Sequence, residues 1–251
     1  MSFYDLSKPE REKLVSKIHS ELISELNNNK FSKTEKYFAD EDTYIRKAAY
    51  QGIGKIFFNE TALQKKIIDL LTDFFIHTDP KIRQTSVNAA GEIAIRDFKV
   101  VEYFFNQGLF DEHHSVRNAV IGSMKKAGQK NPKPILAFAR NYLHHPDKEV
   151  RREICHGIEL RGRKYPQEIL PLLKELEFDK TSRVRNMLVH VLGQIACKKG
   201  CLEKVISHLR GWKNEEVVKA AIDEIIDVHE RYKNFSFYTH DQAKEYIESH
   251  F

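Results

Sequence analysis

The sequence predicts an all-α fold, a solenoid of about six stacked helical repeats with capping helices at both ends. The main observation is a recurring pair, Ile or Val followed by a basic residue: Ile45-Arg46, Ile82-Arg83, Val116-Arg117, Val150-Arg151, Val184-Arg185 and Val218-Lys219. Successive basic residues lie 37, 34, 34, 34 and 34 positions apart. A fixed period of this length is typical of stacked supersecondary units. Gly and Pro are few, 11 and 7, and no linker is evident, so we expect one domain over residues 1–251.

Charge, cysteine content and apolar runs indicate which partners and which compartment to expect. The net charge is +5, from 41 basic and 36 acidic residues, which permits an acidic partner without requiring one. Three cysteines and an N-terminus that is charged from its fifth residue favour a reducing compartment, and we expect a cytoplasmic protein. No apolar run approaches the roughly 18 residues that a membrane-spanning helix needs, so no membrane association is expected. The sequence does not predict an oligomeric state.

The N-terminal segment, residues 1–39, predicts two helices that precede the repeats. Residues 8–26 space their apolar side chains four apart, which is the pattern of an amphipathic helix. Ser7 is a suitable N-cap, and Pro9 suits the first turn. A short helix with Tyr37 and Phe38 facing inward is expected to follow.

The repeats occupy residues 40–231, and each one reads as a helix A, a short turn and a helix B. The B helices are predicted at about 43–58, 80–95, 114–128, 148–162, 182–197 and 215–231. The A helices between them are predicted at about 61–77, 98–108, 132–144, 166–178 and 200–211. The last repeat replaces its Arg by Lys219 and carries an acidic helix, as expected of a cap. Residues 232–251 complete this cap with a helix from about 240.

The turn before helix B often carries an acid four residues before the repeat Arg. This pattern resembles the HEAT repeat, which has an Asp in its turn and Val-Arg at the start of its second helix. The resemblance implies a ladder of ion pairs between successive repeats, formed by Asp42/Arg46, Asp79/Arg83 and Asp147/Arg151. His113 and Thr181 take the place of the acid in the third and fifth repeats, so we expect the ladder to be interrupted there.

The B helices are expected to line the concave groove of the solenoid. Positions one and five after the repeat basic residue lie one turn apart on one face: Lys47/Gln51, Gln84/Asn88, Asn118/Gly122, Arg152/His156, Asn186/His190 and Ala220/Glu224. Only Glu224, in the capping repeat, is acidic. Cations, imidazoles and amides suit phosphate oxygens and base edges. The sequence therefore predicts nucleic-acid contacts at Lys47, Arg152, His156 and His190, with Gln51, Gln84, Asn88, Asn118 and Asn186 as polar lining. A solvated helix face with no ligand is the alternative.

A second basic cluster follows the fourth B helix. The run Arg161-Gly162-Arg163-Lys164-Tyr165 is predicted to project as a loop, and its aromatic ring lies among cations. We expect Arg161, Arg163 and Lys164 to contact phosphates, which would make binding sensitive to salt. Basic residues at a helix C-terminus also complement the helix dipole, so a purely structural role is the alternative.

Residues 147–196 resemble repeats of the HEAT-like DNA-alkylation-repair glycosylases. The shared order is a Val-Arg-Arg helix, a basic turn, an Ile-Leu-Pro-Leu-Leu helix and a second Val-Arg helix. The resemblance implies a DNA-facing groove. The better-understood members use an Asp flanked by tryptophans, whereas this chain has one Trp, Trp212, at the end of an A helix. No catalytic residue is therefore carried over.

These observations lead to a DNA-binding HEAT-repeat protein, a non-catalytic relative of the alkylation-repair group, as the first hypothesis. The alternative is a protein–protein scaffold whose groove takes an acidic segment, and a third reading is a glycosylase with an unrecognised carboxylate. No cofactor and no metal site are predicted, since Gly-rich phosphate loops and His-Glu-x-x-His are lacking. The turn pairs His113-His114 and His144-His145 are the one metal-binding alternative that the sequence leaves open.

Overall fold

The computed structural model describes residues 2–251, and every regular element in that range is helical. The all-α prediction is confirmed. The chain forms two compact units, one ending at Asn131 and the other beginning at Pro132. The single domain over residues 1–251 stays a prediction.

Unit 1 contains the two N-terminal helices and the first repeats. Its α-helices are α1 (Lys8–Asn28), α2 (Ser32–Ala39), α3 (Thr43–Asn59), α4 (Gln64–Phe75), α5 (Pro80–Ala94), α6 (Glu102–Gly108) and α7 (His114–Lys130). Short 3-10 turns precede α1, α4 and α6, at Phe3–Asp5, Thr61–Leu63 and Lys99–Val101. Helices α3, α5 and α7 are the predicted B helices, and each packs on the next.

Unit 2 contains the later repeats and the C-terminal cap. Its helices are α8 (Pro132–Tyr142), α9 (Lys148–Gly157), α10 (Glu159–Gly162), α11 (Pro166–Lys174), α12 (Ser182–Ala196), α13 (Leu202–Leu209), α14 (Glu215–Arg231) and α15 (His240–His250). The B helix predicted over 148–162 is divided into α9 and α10 at Ile158, directly after Gly157. Helices α9, α12 and α14 pack in sequence order, and α15 covers α14.

The apolar member of the recurring pair anchors the B helices of the second to fifth repeats. Ile82, Val116, Val150 and Val184 are all at most 2% exposed. Fully burying such a side chain contributes about 1.5–3 kcal/mol relative to leaving it in water. In these four repeats the periodic Ile/Val is therefore a core position, and the basic residue after it is held at the core's edge. Ile45 and Val218, in the first and last repeats, are only half-buried.

Three B helices begin at the predicted aspartates. The side chains of Asp42, Asp79 and Asp147 each accept a hydrogen bond, 2.8 Å long, from the backbone N–H two residues later. This satisfies an amide that the helix itself leaves unpaired. In α7 the ring of His113 takes the same place, with its Nδ1 3.3 Å from the amide nitrogen of Ser115.

The ladder inferred from the resemblance uses a different acid from the one expected. The Nε and Nη2 atoms of Arg83 donate to Asp111 at 2.9 and 3.0 Å, and Arg151 binds Asp179 in the same way at 2.6 and 3.0 Å. Both acids lie six residues before the Arg of their own repeat. The pairing of Arg83 with Asp79 and that of Arg151 with Asp147 are therefore wrong.

Two features explain why the arginines pair with Asp111 and Asp179 and not with the aspartates of their own repeats. The carboxylates of Asp79 and Asp147 point to the first-turn amides of their own helices, away from the arginine side chain. The third and fifth repeats, which were expected to interrupt the ladder, instead supply its acids, Asp111 and Asp179. Asp42, in the first repeat, accepts from the backbone N–H of Phe3 at 2.6 Å.

Glycine allows a close helix contact in unit 1. A Cβ atom at Gly91 on α5 would lie 2.2 Å from Oγ of Ser123 on α7, well inside contact distance. Gly91 therefore has a packing role in the contact between α5 and α7.

Candidate nucleic-acid interface

The N-terminal end of unit 1 carries an aromatic cavity that includes two of the predicted residues. Lys47 and Gln51 lie one turn apart on α3 and line a cavity of about 470 Å³. The wall opposite is formed by α1 and by the 3-10 turn that carries Phe3 and Tyr4. The residues that complete the lining are Val15, Ser16, His19, Tyr44, Ala48, Gly52 and Lys55.

The three rings of this cavity form one cluster. Phe3 stacks on Tyr44 with ring centroids 5.8 Å apart, and Tyr4 meets Tyr44 edge-on at 4.4 Å. Asp42 fixes this arrangement, because one of its oxygens accepts from Phe3 N–H at 2.6 Å and from the Ser2 hydroxyl at 3.1 Å. Tyr4 and Tyr44 are 58% and 40% exposed, so both rings remain accessible to a ligand.

The electrostatics of the cavity favour an anionic ligand. Of the described residues that line it, none is acidic, while Lys47 and Lys55 both contribute exposed ammonium groups. Burial lowers the pKa of His19, and the nearby charge of Lys55 lowers it further. The His19 ring is therefore neutral at pH 7 and is able to hydrogen-bond either as donor or as acceptor.

Sequence reasoning found Lys47 and Gln51 but missed Phe3, Tyr4 and Tyr44. The rings meet only because Asp42 ties the N-terminal turn to the start of α3, about 40 residues away. No periodic pattern links these positions. The only signal was an exposed aromatic residue, Tyr44, at the beginning of a helix.

The middle of unit 1 continues the polar row without forming a second basic site. Gln84 and Asn88 on α5 are half-buried, and Asn118 on α7 is exposed. An acid also lies on this face, since Glu92 receives Lys126 at 2.5 Å. At positions one and five after the repeat Arg, the row on α5 and α7 contains no carboxylate. The same helix face does carry one elsewhere, at Glu92.

On α9 the side chains predicted to contact phosphates already have carboxylate partners. Arg152 donates to Glu149 at 2.9 Å and lies 3.4 Å from buried Glu153. The Nε2 atom of His156 is 3.2 Å from Glu159. Such pairs must separate before the same cations bind a phosphate, so their charge is less available than that of Lys47.

The fifth repeat follows the same pattern. Asn186 is exposed on α12, one turn before His190. The Nδ1 atom of His190 lies 3.6 Å from the carboxylate of Glu224 on α14. Burial lowers the pKa of His190, although both Glu159 and Glu224 act in the opposite direction. His190 is therefore a neutral imidazole at pH 7.

The prediction of a projecting basic loop is wrong. Residues 161–165 pack against the unit: Gly162 is buried, and a Cβ added there would lie 2.4 Å from the Ile195 side chain. Arg161 makes a two-pronged ion pair with Glu168 and stacks on Tyr165, with its guanidinium carbon 3.7 Å from the ring centroid. Arg163 donates to Glu159 and Gln194. Only Lys164 is exposed as predicted.

The features associated with glycosylase chemistry do not assemble around the single tryptophan. Trp212 is 8% exposed and donates from its indole N–H to His208 at 2.8 Å. The indole ring is buried in packing contacts and is not open for a base to stack on it. No helix in residues 2–251 is long and apolar enough to cross a membrane.

Comparison with known families agrees with this architecture. Residues 136–225 match the family model of HEAT repeats. The match is limited to this stretch. It covers most of unit 2, including helices α9 and α12 with their periodic Val-Arg pairs.

Solved structures extend the likeness to most of the chain. The protein smu.31 from Streptococcus mutans UA159 is 18% identical with a TM-score of 0.54, over 74% of this chain and 96% of that one. AlkD2 from Streptococcus mutans is 17% identical with a TM-score of 0.57, over 78% and 97%. At this identity the likeness shows the fold, all-α and built from HEAT-like repeats. No curated protein matches the sequence significantly.

Proposed function

We propose that this chain is a DNA-binding HEAT-repeat protein and that the cavity on α3 is its main contact site. The observation that carries the proposal is the combination of Lys47 and Lys55 with exposed tyrosine rings, in a cavity without an acidic lining residue. Ammonium groups bind phosphates, and aromatic rings stack on unpaired bases. Gln51 adds an amide that suits a base edge.

Two likenesses support DNA as the ligand. Residues 147–196 resemble repeats of the alkylation-repair glycosylases, and the fold is similar to that of AlkD2. Neither likeness brings a catalytic residue with it. We therefore propose that this chain binds DNA through its B-helix surface but does not excise bases.

Within this proposal the basic residues fall into two classes. Lys47, Lys55 and Lys164 are exposed and contact phosphates directly. Arg152, His156, Arg161, Arg163 and His190 are held by carboxylates and contribute less, because each must exchange a partner for a phosphate oxygen. Gln84, Asn88, Asn118 and Asn186 add polar contacts along the B helices.

The test is DNA binding by fluorescence anisotropy at about 50 and 200 mM salt, with duplex and branched DNA. Contact with about four phosphates gives a slope near −3.6 for log K against log salt. The charge-reversed pair Lys47→Glu/Lys55→Glu should lose most of this binding. The matched control, Lys65→Glu/Lys133→Glu, makes the same charge change on helices α4 and α8, at exposed positions outside the B helices.

The aromatic contribution is tested separately. Base stacking on one ring is worth about 1–3 kcal/mol, so Tyr44→Ala should weaken binding to branched DNA more than binding to duplex. Absence of binding at about 50 mM salt, or equal losses in both charge-reversed pairs, would contradict the proposal. Release of a free base from alkylated duplex would contradict the non-catalytic part alone.

The scaffold for an acidic protein segment remains the second candidate. The same lysines would bind carboxylates, and the observation that favours it is the apolar character of the rings beside them. It predicts binding of a Glu-rich peptide containing an aromatic residue, together with no measurable DNA binding. The two candidates are therefore separated by the anisotropy experiment.

A further inference from the structure

Three successive B helices in unit 2 carry a potential ligand at the same repeat position. His156 on α9, His190 on α12 and Glu224 on α14 each lie five residues after the repeat basic residue, so one repeat period separates each from the next. Because the helices pack in order, equal positions become neighbours. Glu159 joins them from one turn beyond His156, at the start of α10.

The side chains of this cluster converge. One donor atom each from His156, Glu159 and His190 lies within 4.8 Å of the other two. Nε2 of His156 is 3.2 Å from Glu159, and Nδ1 of His190 is 3.6 Å from Glu224. The two rings meet edge to face, with centroids 6.1 Å apart.

We propose that His156, Glu159 and His190 bind a divalent transition-metal ion, best matched by Zn²⁺. Glu224, which lies 3.6 Å from His190 and pairs with Arg231 at 2.8 Å, is next to this set. Two imidazoles with one or two carboxylates form a donor set that Zn²⁺ commonly takes. Bond lengths of about 2.0–2.2 Å place tetrahedral donors about 3.4 Å apart. The imidazoles are about one-third exposed, so small rotations suffice to reach this geometry.

The surroundings prepare the ligands for a cation. The Glu159 side chain is 2% exposed and is paired with Arg163. Arg163 also donates to Gln194 at 2.7 Å, which helps to hold its guanidinium beside the Glu159 carboxylate. Such outer contacts orient metal ligands and increase affinity.

The competing explanation is an ion-pair network in which a proton on His156 takes the place of the metal. Unit 2 contains a natural comparison, His144, whose Nε2 lies 2.8 Å from Glu175. That pair is half-exposed and lies outside the convergent cluster. His144→Ala therefore removes a His–Glu contact without touching the proposed site.

The experiment is a titration of the full-length, chelator-treated protein with Co²⁺, followed by displacement with Zn²⁺. We expect one ion per chain and the intense visible bands of four-coordinate Co²⁺, which Zn²⁺ abolishes. His156→Ala and His190→Ala should each weaken uptake by more than about 100-fold, beyond the loss typical of an outer contact. His144→Ala should bind as the wild type does.

Circular dichroism of the metal-free variants checks their folding. If His190→Ala fails to fold, His190→Asn, which keeps a polar side chain of similar reach, replaces it. Because the ligands must be deprotonated, uptake should weaken as pH falls from 7 to 5. No Co²⁺ uptake by the wild type, or equal loss in His144→Ala, would overturn the proposal. None of these readouts depends on DNA binding, so the metal-site proposal is tested independently of the proposed function.

Discussion

Arg83 on α5 holds Asp111 of the following repeat through two parallel hydrogen bonds, Nε–Oδ2 at 2.9 Å and Nη2–Oδ1 at 3.0 Å. Its remaining nitrogen, Nη1, donates to the carbonyls of His77 and Thr78 at 2.9 and 3.1 Å. One guanidinium thus joins the turn of its own repeat to the turn of the next. The two side chains are 9% and 8% exposed, so solvent screens the pair weakly.

This pair predicts a large cost for removing one partner. Arg83→Met leaves the carboxylate of Asp111 buried and unpaired, and we expect a loss of about 3–5 kcal/mol in the free energy of unfolding. Arg46→Met is the control, because Arg46 donates to the carbonyls of Asp40 and Glu41 in its own turn. Urea unfolding measures both. The double variant Arg83→Met/Asp111→Asn should recover part of the loss, and purely additive losses would contradict a direct coupling.

Two glycines in B helices should respond in opposite directions to the same substitution. Gly91→Ala drives a methyl group into Ser123 on α7 and should cost about 1–3 kcal/mol. Gly122→Ala meets nothing within 4 Å, so the higher helix propensity of Ala should stabilise by up to about 1 kcal/mol. Thermal unfolding of both variants measures the difference. Adding Ser123→Gly to Gly91→Ala should restore stability; failure to do so would mean that the contact is not the cause.

Stability should fall in mild acid because of a buried histidine. His229 on α14 is fully buried, and burial is the main cause that lowers its pKa. Above about pH 6.5, the ordinary histidine value, the ring is neutral in both the folded and unfolded states. Below that pH only the unfolded chain takes up the proton, so the free energy of unfolding decreases as pH falls. Urea unfolding between pH 7.5 and pH 5 measures this slope, with both limits about one unit or more from the reference value.

A variant assigns the slope to this residue. His229 Nδ1–H donates to the carbonyl of Ile225 at 2.7 Å, and His229→Asn keeps a donor in that region without a titratable ring. The variant should be less stable at pH 7.5 but should show a flatter pH dependence. His19, His190 and His208, whose pKa values are also lowered by burial, contribute to the slope that remains. An unchanged slope would exclude His229 as its source.

The three cysteines should be inert in the native state. Cys155, Cys197 and Cys201 are all at most 2% exposed, and burial raises the pKa of the Cys155 and Cys201 thiols. Reaction needs the thiolate, so a disulfide reagent should label the native protein far more slowly than the unfolded protein. Rapid labelling of one thiol before unfolding would show local opening near that residue.

The sequence predicted the helices well because burial imposes a strict period. Ile82 and Val150 recur at the core, and the helix boundaries around them follow to within a few residues, apart from the division at Ile158. The ladder was misassigned because helix capping and ion pairing both favour Asp in the same turn. Spacing alone does not separate these two roles.

The candidate site was only partly predictable for a different reason. Lys47 was found from its position on a helix face, whereas the rings of Phe3 and Tyr44 are brought together by a hydrogen bond across about 40 residues. The basic cluster of unit 2 was overrated because Glu168, which pairs with Arg161, lies across a turn on the next helix. Charge counted along the chain does not reveal which charges are already paired in space.

The two arginine–aspartate pairs recur at every second repeat, whereas the helices recur at every repeat. Asp179 follows Asp111 by two repeat periods, while the corresponding positions in the second and fourth repeats, His77 and His145, accept backbone N–H groups through Nδ1. The backbone therefore repeats with every pair of A and B helices, but the chemistry of its turns repeats only with every second pair. Exchanging a repeat for its immediate neighbour would place an imidazole where the preceding guanidinium needs a carboxylate. Modules cut from this chain for recombination should accordingly be taken two repeats at a time.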